Sequence, residues 1–123
     1  MADKLKLSSE ASNFLNILST RLNLKRNQVC RIALSISLSS RIPVDMKINN
    51  NTDGYEFNKT TILGPDELLF RALSAFVQKE VMDEDFFNVV VRNHIEKGLY
   101  MMDNDFKLVN SPVSYLVSLL GSK

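Results

Sequence analysis

Cysteine, tryptophan and long apolar runs are scarce or missing in this chain. The 123 residues include one cysteine and no tryptophan. A single cysteine cannot form an internal disulfide, which excludes the disulfide-rich class of small secreted domains. No apolar run approaches the ~18–20 residues that span a membrane, and the N-terminal MADKLKL lacks the apolar core of a signal peptide. These absences predict a cytoplasmic protein with no membrane-spanning helix.

The usual signals of a catalytic or metal site are missing as well. No glycine-rich loop could cradle a phosphate, and no cysteine pair could hold zinc or an iron–sulfur cluster. Asp83, Glu84 and Asp85 form an acidic run that could bind a metal, as a nuclease would need. Carboxylates are also favourable in the first turn of a helix, which explains the same run without a metal. The sequence therefore predicts no catalytic residue, no metal and no cofactor.

Charge is distributed unevenly along the chain. Residues 1–42 carry seven basic and two acidic side chains, a net charge of +5. The remaining residues carry eight basic and twelve acidic side chains, a net charge of −4. Such asymmetry suggests that the front part meets a polyanion, although a solvated surface with scattered charges would give the same totals.

The chain begins with a short pattern typical of a β-strand. Residues 3–7 alternate polar and apolar, with Leu5 and Leu7 on one side and Lys4 and Lys6 on the other. A single short strand leaves its backbone groups unpaired, so we expect pairing with a second copy of the chain. Two copies would form a basic ribbon of the size that enters a DNA major groove.

Two helices follow, and their junction is basic. Ser8 or Ser9 is placed to cap the first helix, and Asn23 suits the left-handed conformation that ends it. The second helix is predicted from about Arg26 to Leu38, with apolar residues around most of its circumference. Lys25 and Arg26 lie at its start, where the helix dipole disfavours cations. A phosphate bound at that end would explain them; the alternative is that both side chains extend into solvent.

The rest of the chain reads as an irregular stretch and three more helices. Residues 39–61 are predicted to be irregular, because Pro43, an asparagine run and Asp53-Gly54 mark turns. Pro65 begins a third helix, and Asp83 caps a fourth that Gly98 ends or kinks. A short helix is predicted at 112–120. The expected inner faces consist of Leu68, Leu69, Ala72, Leu73, Phe76 and Val77 in the third helix, and of Phe86, Val90, His94 and Ile95 with Val89 and Val91 in the fourth.

Two reactive side chains are expected to be structural. Cys30 lies within an apolar helix, where a free cysteine behaves as a small buried hydrophobe. A thiol that carries sulfur would need an accessible, electropositive environment. His94 is the chain's one histidine and lies on the apolar face of its helix. We expect it to be hydrogen-bonded in the core or in an interface.

Several separate segments resemble one family, the DNA sulfur modification protein DndE. They are LKLSSEAS, CRIALSISL, YEFNKTTILG, LLFRAL and NHIEKGLYM, in this order between residues 4 and 102. The resemblance implies a small, mainly α domain at residues 1–102, with a short N-terminal strand and a ribbon-helix-helix variant fold. Residues 103–123 form a C-terminal extension outside it.

The resemblance also implies partners. Family members are homotetrameric DNA-binding subunits of the phosphorothioation system, which favour nicked duplex DNA and work beside a sulfurtransferase-like subunit and an ATPase subunit. This chain departs from the family pattern at the helix junction, where Asn23 and Lys25-Arg26 replace the usual Gly and Thr-Pro. Lys59 stands where relatives often carry Arg, which keeps the charge but loses the bidentate fork.

The leading hypothesis is therefore a non-catalytic DNA-binding subunit of a phosphorothioation complex. The residues expected to contact DNA are Lys4, Lys6, Lys25 and Arg26, with Arg21 and Arg31 as weaker candidates. The helix junction is the better anchor of the two basic segments, because its charges lie where helix energetics disfavour them. Two alternatives remain open: a metal-dependent DNA nickase that uses Asp83–Asp85, and an assembly module that joins the larger subunits.

Overall fold

The computed structural model describes residues 4–44 and 53–106, and the side chains of all of these except Phe106. Most of the described chain is helical, as the sequence predicts. The helix predicted at 112–120 lies outside the described residues. Within the described part, no helix is long and apolar enough to cross a membrane. The elements in chain order are β1 (Lys4–Lys6), α1 (Ser9–Leu22), α2 (Arg26–Ser39), β2 (Glu56–Asn58), α3 (Lys59–Leu63), a single 3₁₀ turn (Gly64–Asp66), α4 (Glu67–Gln78) and α5 (Glu84–Phe106).

Local signals set the limits of the first two helices, as predicted. The Ser8 hydroxyl accepts a hydrogen bond from the Ala11 amide at 3.1 Å and caps α1. Asn23 adopts the left-handed conformation, with φ 58° and ψ 46°. The amide of Leu24 then donates to the carbonyl of Ser19 at 3.1 Å, which satisfies a carbonyl of the last turn. This turn reverses the chain and places the start of α2 beside the end of α1.

The core is built around the packing of α5 against α2. Gly98 faces the backbone of Ala33 so closely that a Cβ added to the glycine would lie 1.9 Å from the Ala33 carbonyl oxygen. α5 does not end at Gly98, which was one of the two outcomes predicted for this residue, but continues to Phe106. The glycine serves a different purpose, since it lets two helix backbones approach each other.

The N-terminal strand pairs within its own chain, which corrects the expectation of a second copy. Lys4, Leu5 and Lys6 pair antiparallel with Asn58, Phe57 and Glu56. β2 and α3 both begin inside the stretch predicted to be irregular, and the pattern of turn residues did not reveal them. The edge of β1 that faces β2 is therefore paired within the chain.

Two buried charged residues of α5 hold this ribbon in place. The Nε of Arg92 donates to the Lys6 carbonyl at 2.7 Å, and its Nη2 lies 3.1 Å from a carboxylate oxygen of Glu96. The same Glu96 oxygen accepts from the Ser8 amide at 2.6 Å. Both side chains are buried, so their charges need these partners. The pair fixes the end of β1 and the first turn of α1 on α5.

Of the six apolar residues predicted for the inner face of α4, Val77 is buried, as predicted, but the other five are exposed. The buried residues of α4 are Phe70, Ser74 and Val77, whereas Leu68 is 79% and Phe76 66% exposed. Leu69 and Leu73 are also exposed. The error has a physical reason: helical periodicity shows that an apolar face exists, but not which neighbour covers it. In α5 the prediction holds for Val90, Val91, His94 and Ile95, while Phe86 is half-buried and Val89 exposed.

Replacement of Gly98 by alanine should destabilise the fold. The methyl group gains at most about 1 kcal/mol of helix propensity, but it collides with a backbone oxygen that cannot rotate away. We expect a net loss of about 2–3 kcal/mol in the free energy of unfolding, in the range of overpacked cores. Urea denaturation measures it. Asn104→Ala, at an exposed site on the same helix, is the control and should be nearly neutral.

Candidate nucleic-acid interface

The start of α2 is an exposed cluster of positive charge. Lys25 is the N-cap residue, with extended backbone angles, and Arg26 is the first helical residue. Both side chains are exposed, and the first turn contains no acidic residue. The Gln28 side chain accepts a hydrogen bond from the Lys25 amide at 2.9 Å, but no side chain among the described residues caps the amides of the helix itself. The positive end of the helix dipole and the positive charges of Lys25 and Arg26 therefore lie together at one exposed place.

The Arg26 side chain is held by α1 and by the residues before β2. Its Nε donates to the Asn16 side-chain oxygen at 2.8 Å. Its guanidinium carbon lies 5.6 Å from the centre of the Tyr55 ring, which stacks on Phe57 at 6.3 Å. These contacts occupy Nε and one face of the guanidinium, while the side chain as a whole stays exposed. Sequence reasoning missed Asn16 and Tyr55, since neither has a signal beyond being polar or aromatic.

Lys4 and Lys6 lie on the exposed face of the ribbon, but not in a purely basic setting. Lys6 is opposite Glu56 and Lys4 is opposite Asn58 in the antiparallel register. All four residues are exposed. A carboxylate directly across from Lys6 offsets part of its charge. The ribbon is therefore a weaker anion site than its two lysines suggest.

The two weaker candidates differ in their surroundings. Arg21 is exposed in the last turn of α1, where the negative end of the helix dipole stabilises a cation. Arg31 is half-buried, and its Nη1 donates to the carbonyls of Ile62 and Leu63 at 2.8 and 2.9 Å. Its Nη2 pairs with Asp66. These bonds tie α2 to the end of α3, which gives Arg31 a structural role.

Lys59 is fully buried rather than available to an external anion. Its Nζ pairs with Glu84 and donates to the Asn88 oxygen at 2.7 Å, and only 1% of the side chain is exposed. Arg71 pairs with the other Glu84 oxygen at 2.6 Å. Hydrogen bonds from Lys59 and Arg71 lower the pKa of the Glu84 carboxyl. This network joins the start of α3 to α4 and α5.

The same network uses part of the acidic run that could have bound a metal. Asp83 caps α5 through a 2.8 Å hydrogen bond from the Phe86 amide, as predicted. Glu84 is paired with two cations. Across residues 4–44 and 53–106, no group of three or more metal-binding side chains comes together. Asp83 and Glu84 of the acidic run are therefore both engaged in contacts that hold the fold.

Cys30 and His94 are both buried, as predicted. Burial raises the pKa of the Cys30 thiol to about 12, so the reactive thiolate is disfavoured. Nδ1 of His94 lies 2.7 Å from the Ser37 hydroxyl, and Nε2 lies 3.2 Å from the side-chain oxygen of Gln78. These contacts fit a neutral ring protonated at Nε2. His94 thus joins α5 to α2 and α4.

The burial of His94 should make the protein less stable in mild acid. Burial, with the nearby charge of Lys97, lowers the pKa of His94 from 6.5 to about 4. The unfolded chain then binds the proton first as the pH falls. Above about pH 6.5 the free energy of unfolding is unaffected by this group. It falls as the pH is lowered from about 6.5 to about 4, and below about pH 4 His94 causes no further loss. The expected loss over this whole window is about 3.4 kcal/mol, at about 1.36 kcal/mol for each pH unit between the two pKa values.

Urea denaturation between pH 7.5 and pH 4.5 tests this expectation. The matched variant is His94→Gln, which keeps hydrogen-bonding capacity but does not titrate. Its stability should change less over this range than that of the parent chain. Equal pH dependence in both chains would show that His94 is not the group responsible.

Comparisons with known proteins identify the fold and the family. Residues 4–110 match the family model described as DndE, DNA sulphur modification protein DndE. Among solved structures, the chain is similar to DndE from Escherichia coli B7A, a protein involved in DNA phosphorothioation modification. That likeness has a TM-score of 0.65 at 18% identity and covers 81% of this chain and 96% of the other. A search of curated proteins finds no match.

Proposed function

The chain belongs to the DndE family of DNA sulphur modification proteins, and from this premise we propose that it is a non-catalytic DNA-binding subunit of a phosphorothioate modification complex. It binds duplex or nicked DNA through the phosphate backbone. The observation that carries the proposal is the exposed start of α2, where Lys25, Arg26 and uncapped helix amides coincide. This combination suits a phosphate and is unfavourable without an anion.

The contacts of Arg26 support its role in more detail. Asn16 and Tyr55 restrict the side chain without neutralising its charge, because an amide and an aromatic ring carry no negative charge. A cation restricted in this way loses less conformational entropy when it meets a phosphate. Lys25 is a flexible point charge beside it. Together they position the backbone and do not read bases.

The other basic residues contribute unequally in this proposal. Lys4, Lys6 and Arg21 are exposed and add general attraction for the polyanion. The negative charge of Glu56, which lies opposite Lys6, reduces the contribution of the ribbon to DNA binding. Arg31 is removed from the contact set, because its guanidinium bonds hold α2 to the end of α3. The α2 start is therefore the main anchor.

The proposal predicts how salt affects binding after Lys25→Ala and Arg26→Ala are combined. Each phosphate contact releases about 0.9 counterion from duplex DNA. The plot of log affinity against log salt concentration has a negative slope, and the double variant should make that slope less steep by about 1.8. Binding to nicked and intact duplexes should be measured by fluorescence anisotropy at several salt concentrations. An unchanged slope would remove these two residues from the interface.

A matched control removes two positive charges elsewhere. Arg41 and Lys79 are exposed and have left-handed backbone angles, which asparagine tolerates. Arg41→Asn combined with Lys79→Asn should leave the slope close to that of the parent chain. A decrease as large as in the first variant would show that net charge, and not the α2 start, governs binding.

The proposed partners follow from the family. In this proposal the subunit assembles as a homotetramer and works beside sulfurtransferase-like and ATPase subunits. The assembly-module hypothesis is compatible with this, since one chain can hold partners and DNA together. It differs in one outcome: a pure assembly module would lose DNA affinity at physiological salt while it still bound its partners. The nickase hypothesis gains no support, because Asp83 and Glu84 already have structural roles.

A further inference from the structure

One side of α4 faces outward and carries apolar side chains. Ala72 is exposed at its middle, and the four large side chains around it are Leu68, Leu69, Leu73 and Phe76, which are 79%, 56%, 40% and 66% exposed. At about 100° per residue these five positions fall within one half of the helix. The three buried residues of α4 fall on the other half. The helix therefore packs on the core with one side and presents a second apolar side, the outer α4 face.

The two charged residues of α4 are engaged away from this face. Glu67 lies 3.8 Å from Nζ of the buried Lys59, and Arg71 pairs with Glu84 at 2.6 Å. The helix contains no other charged residue between its first and last positions. A surface helix ordinarily carries its charges on the outer side, where water solvates them. The absence of charge from the outer α4 face favours contact with another apolar surface.

The exposed apolar area is of the size that a contact between proteins needs. Four large side chains that are on average about 60% exposed present roughly 500 Å². The largest apolar patch on a typical monomer has about 300–600 Å² and is often functional. Two such faces packed together would bury about 1,000 Å² before any surrounding residue is counted, and specific contacts between proteins begin at about this size.

The edge of the face also offers space for a partner side chain. An apolar groove of about 390 Å³ between α2 and α4 borders the face at Leu73 and Phe76. A ridge of side chains on one helix packs best when the facing surface provides such a groove. The outer α4 face thus has both the ridge and the groove that a helix-to-helix contact requires.

A second copy of the chain meets these requirements. Its own outer α4 face is equally free of charge, so the contact removes no ionised group from water. The charges at one end of the face decide the direction. Arg41 and Lys79 are exposed beside Phe76, at the C-terminal end of α4. An antiparallel crossing keeps these cations away from those of the other copy, whereas a parallel crossing would bring like charges together.

We propose that the outer α4 face is a contact between two copies of this chain, in which the two α4 helices cross antiparallel at Ala72. The small side chain of Ala72 lets the helices approach, and Leu68 of each copy then lies near Phe76 of the other. The inference goes beyond the proposed function, because the homotetramer proposed there has no assigned surface. It does not depend on the phosphate site at the start of α2.

Ala72→Glu tests the contact, because it places a charge at the middle of the face. Residue 72 is exposed in a single chain and glutamate is a good helix former, so the variant should keep the circular dichroism of the parent. Association should weaken by at least about tenfold, since the carboxylate would be buried without a partner. Sedimentation velocity of the full chain at several protein concentrations measures the mass of the assembly. Asn13→Glu adds the same charge at an exposed position of α1 and should leave that mass unchanged.

A tryptophan reporter shows whether this face is the one that is covered. The parent sequence has no tryptophan, so Phe76→Trp gives a single emission from the face. The emission should shift to the blue as the protein concentration rises and the second copy excludes water from the indole. Ala72→Glu should abolish this shift in the reporter chain, and Asn13→Glu should preserve it.

Other outcomes overturn the proposal. A parent chain that stays monomeric at high concentration, or an Ala72→Glu variant with the mass of the parent, means that two copies do not meet at this face. A blue shift of the reporter with uncharged phospholipid vesicles, but not with protein concentration, means that a lipid surface covers it. None of these measurements contains DNA, so failure of the contact and failure of the proposed DNA binding are distinguishable.

Discussion

The close contact between α2 and α5 is the constraint on which the rest of the structure depends. Gly98 and Ala33 bring the two helix backbones together, which no larger residue at position 98 would allow. One turn along, the His94 ring reaches Ser37 of α2 and Gln78 of α4. On the same helix, Arg92 and Glu96 reach the ribbon and the start of α1. α5 therefore joins α2 to α4, to the ribbon and to the start of α1.

This arrangement divides the basic residues into two groups with different physics. Lys59 and Arg31 are partly or fully buried and are matched by Glu84 and Asp66, because an unpaired charge in the interior is costly. Lys25 and Arg26 lie where the helix dipole opposes them, and no carboxylate of the first turn offsets their charge. The net charge of a segment counts both groups equally. Only the folded structure separates cations that hold the fold from cations that lie exposed at a helix start.

The sequence predicted the features that depend on neighbouring residues. Ser8, Asn23 and Asp83 define helix ends because their side chains or backbone angles act within one turn. It did not predict features that depend on distant partners. The pairing of β1 with β2 joins residues about fifty positions apart, and the bond of Arg31 to Leu63 joins residues 32 apart. In α4, periodicity identified an apolar stripe but gave no information on what would cover it.

The two ends of α2 differ in character, and this has a physical consequence. The proposed phosphate site lies at the first residue of the helix, whereas the last turn lines an apolar groove between α2 and α4. Fourteen residues separate the two ends by about 20 Å, which exceeds the Debye length of about 8 Å at physiological salt. Electrostatic influence of one site on the other is therefore small. Any coupling between the proposed DNA contact and the groove would have to pass through the packing of α2 on α5, where Gly98 lies against the backbone of Ala33.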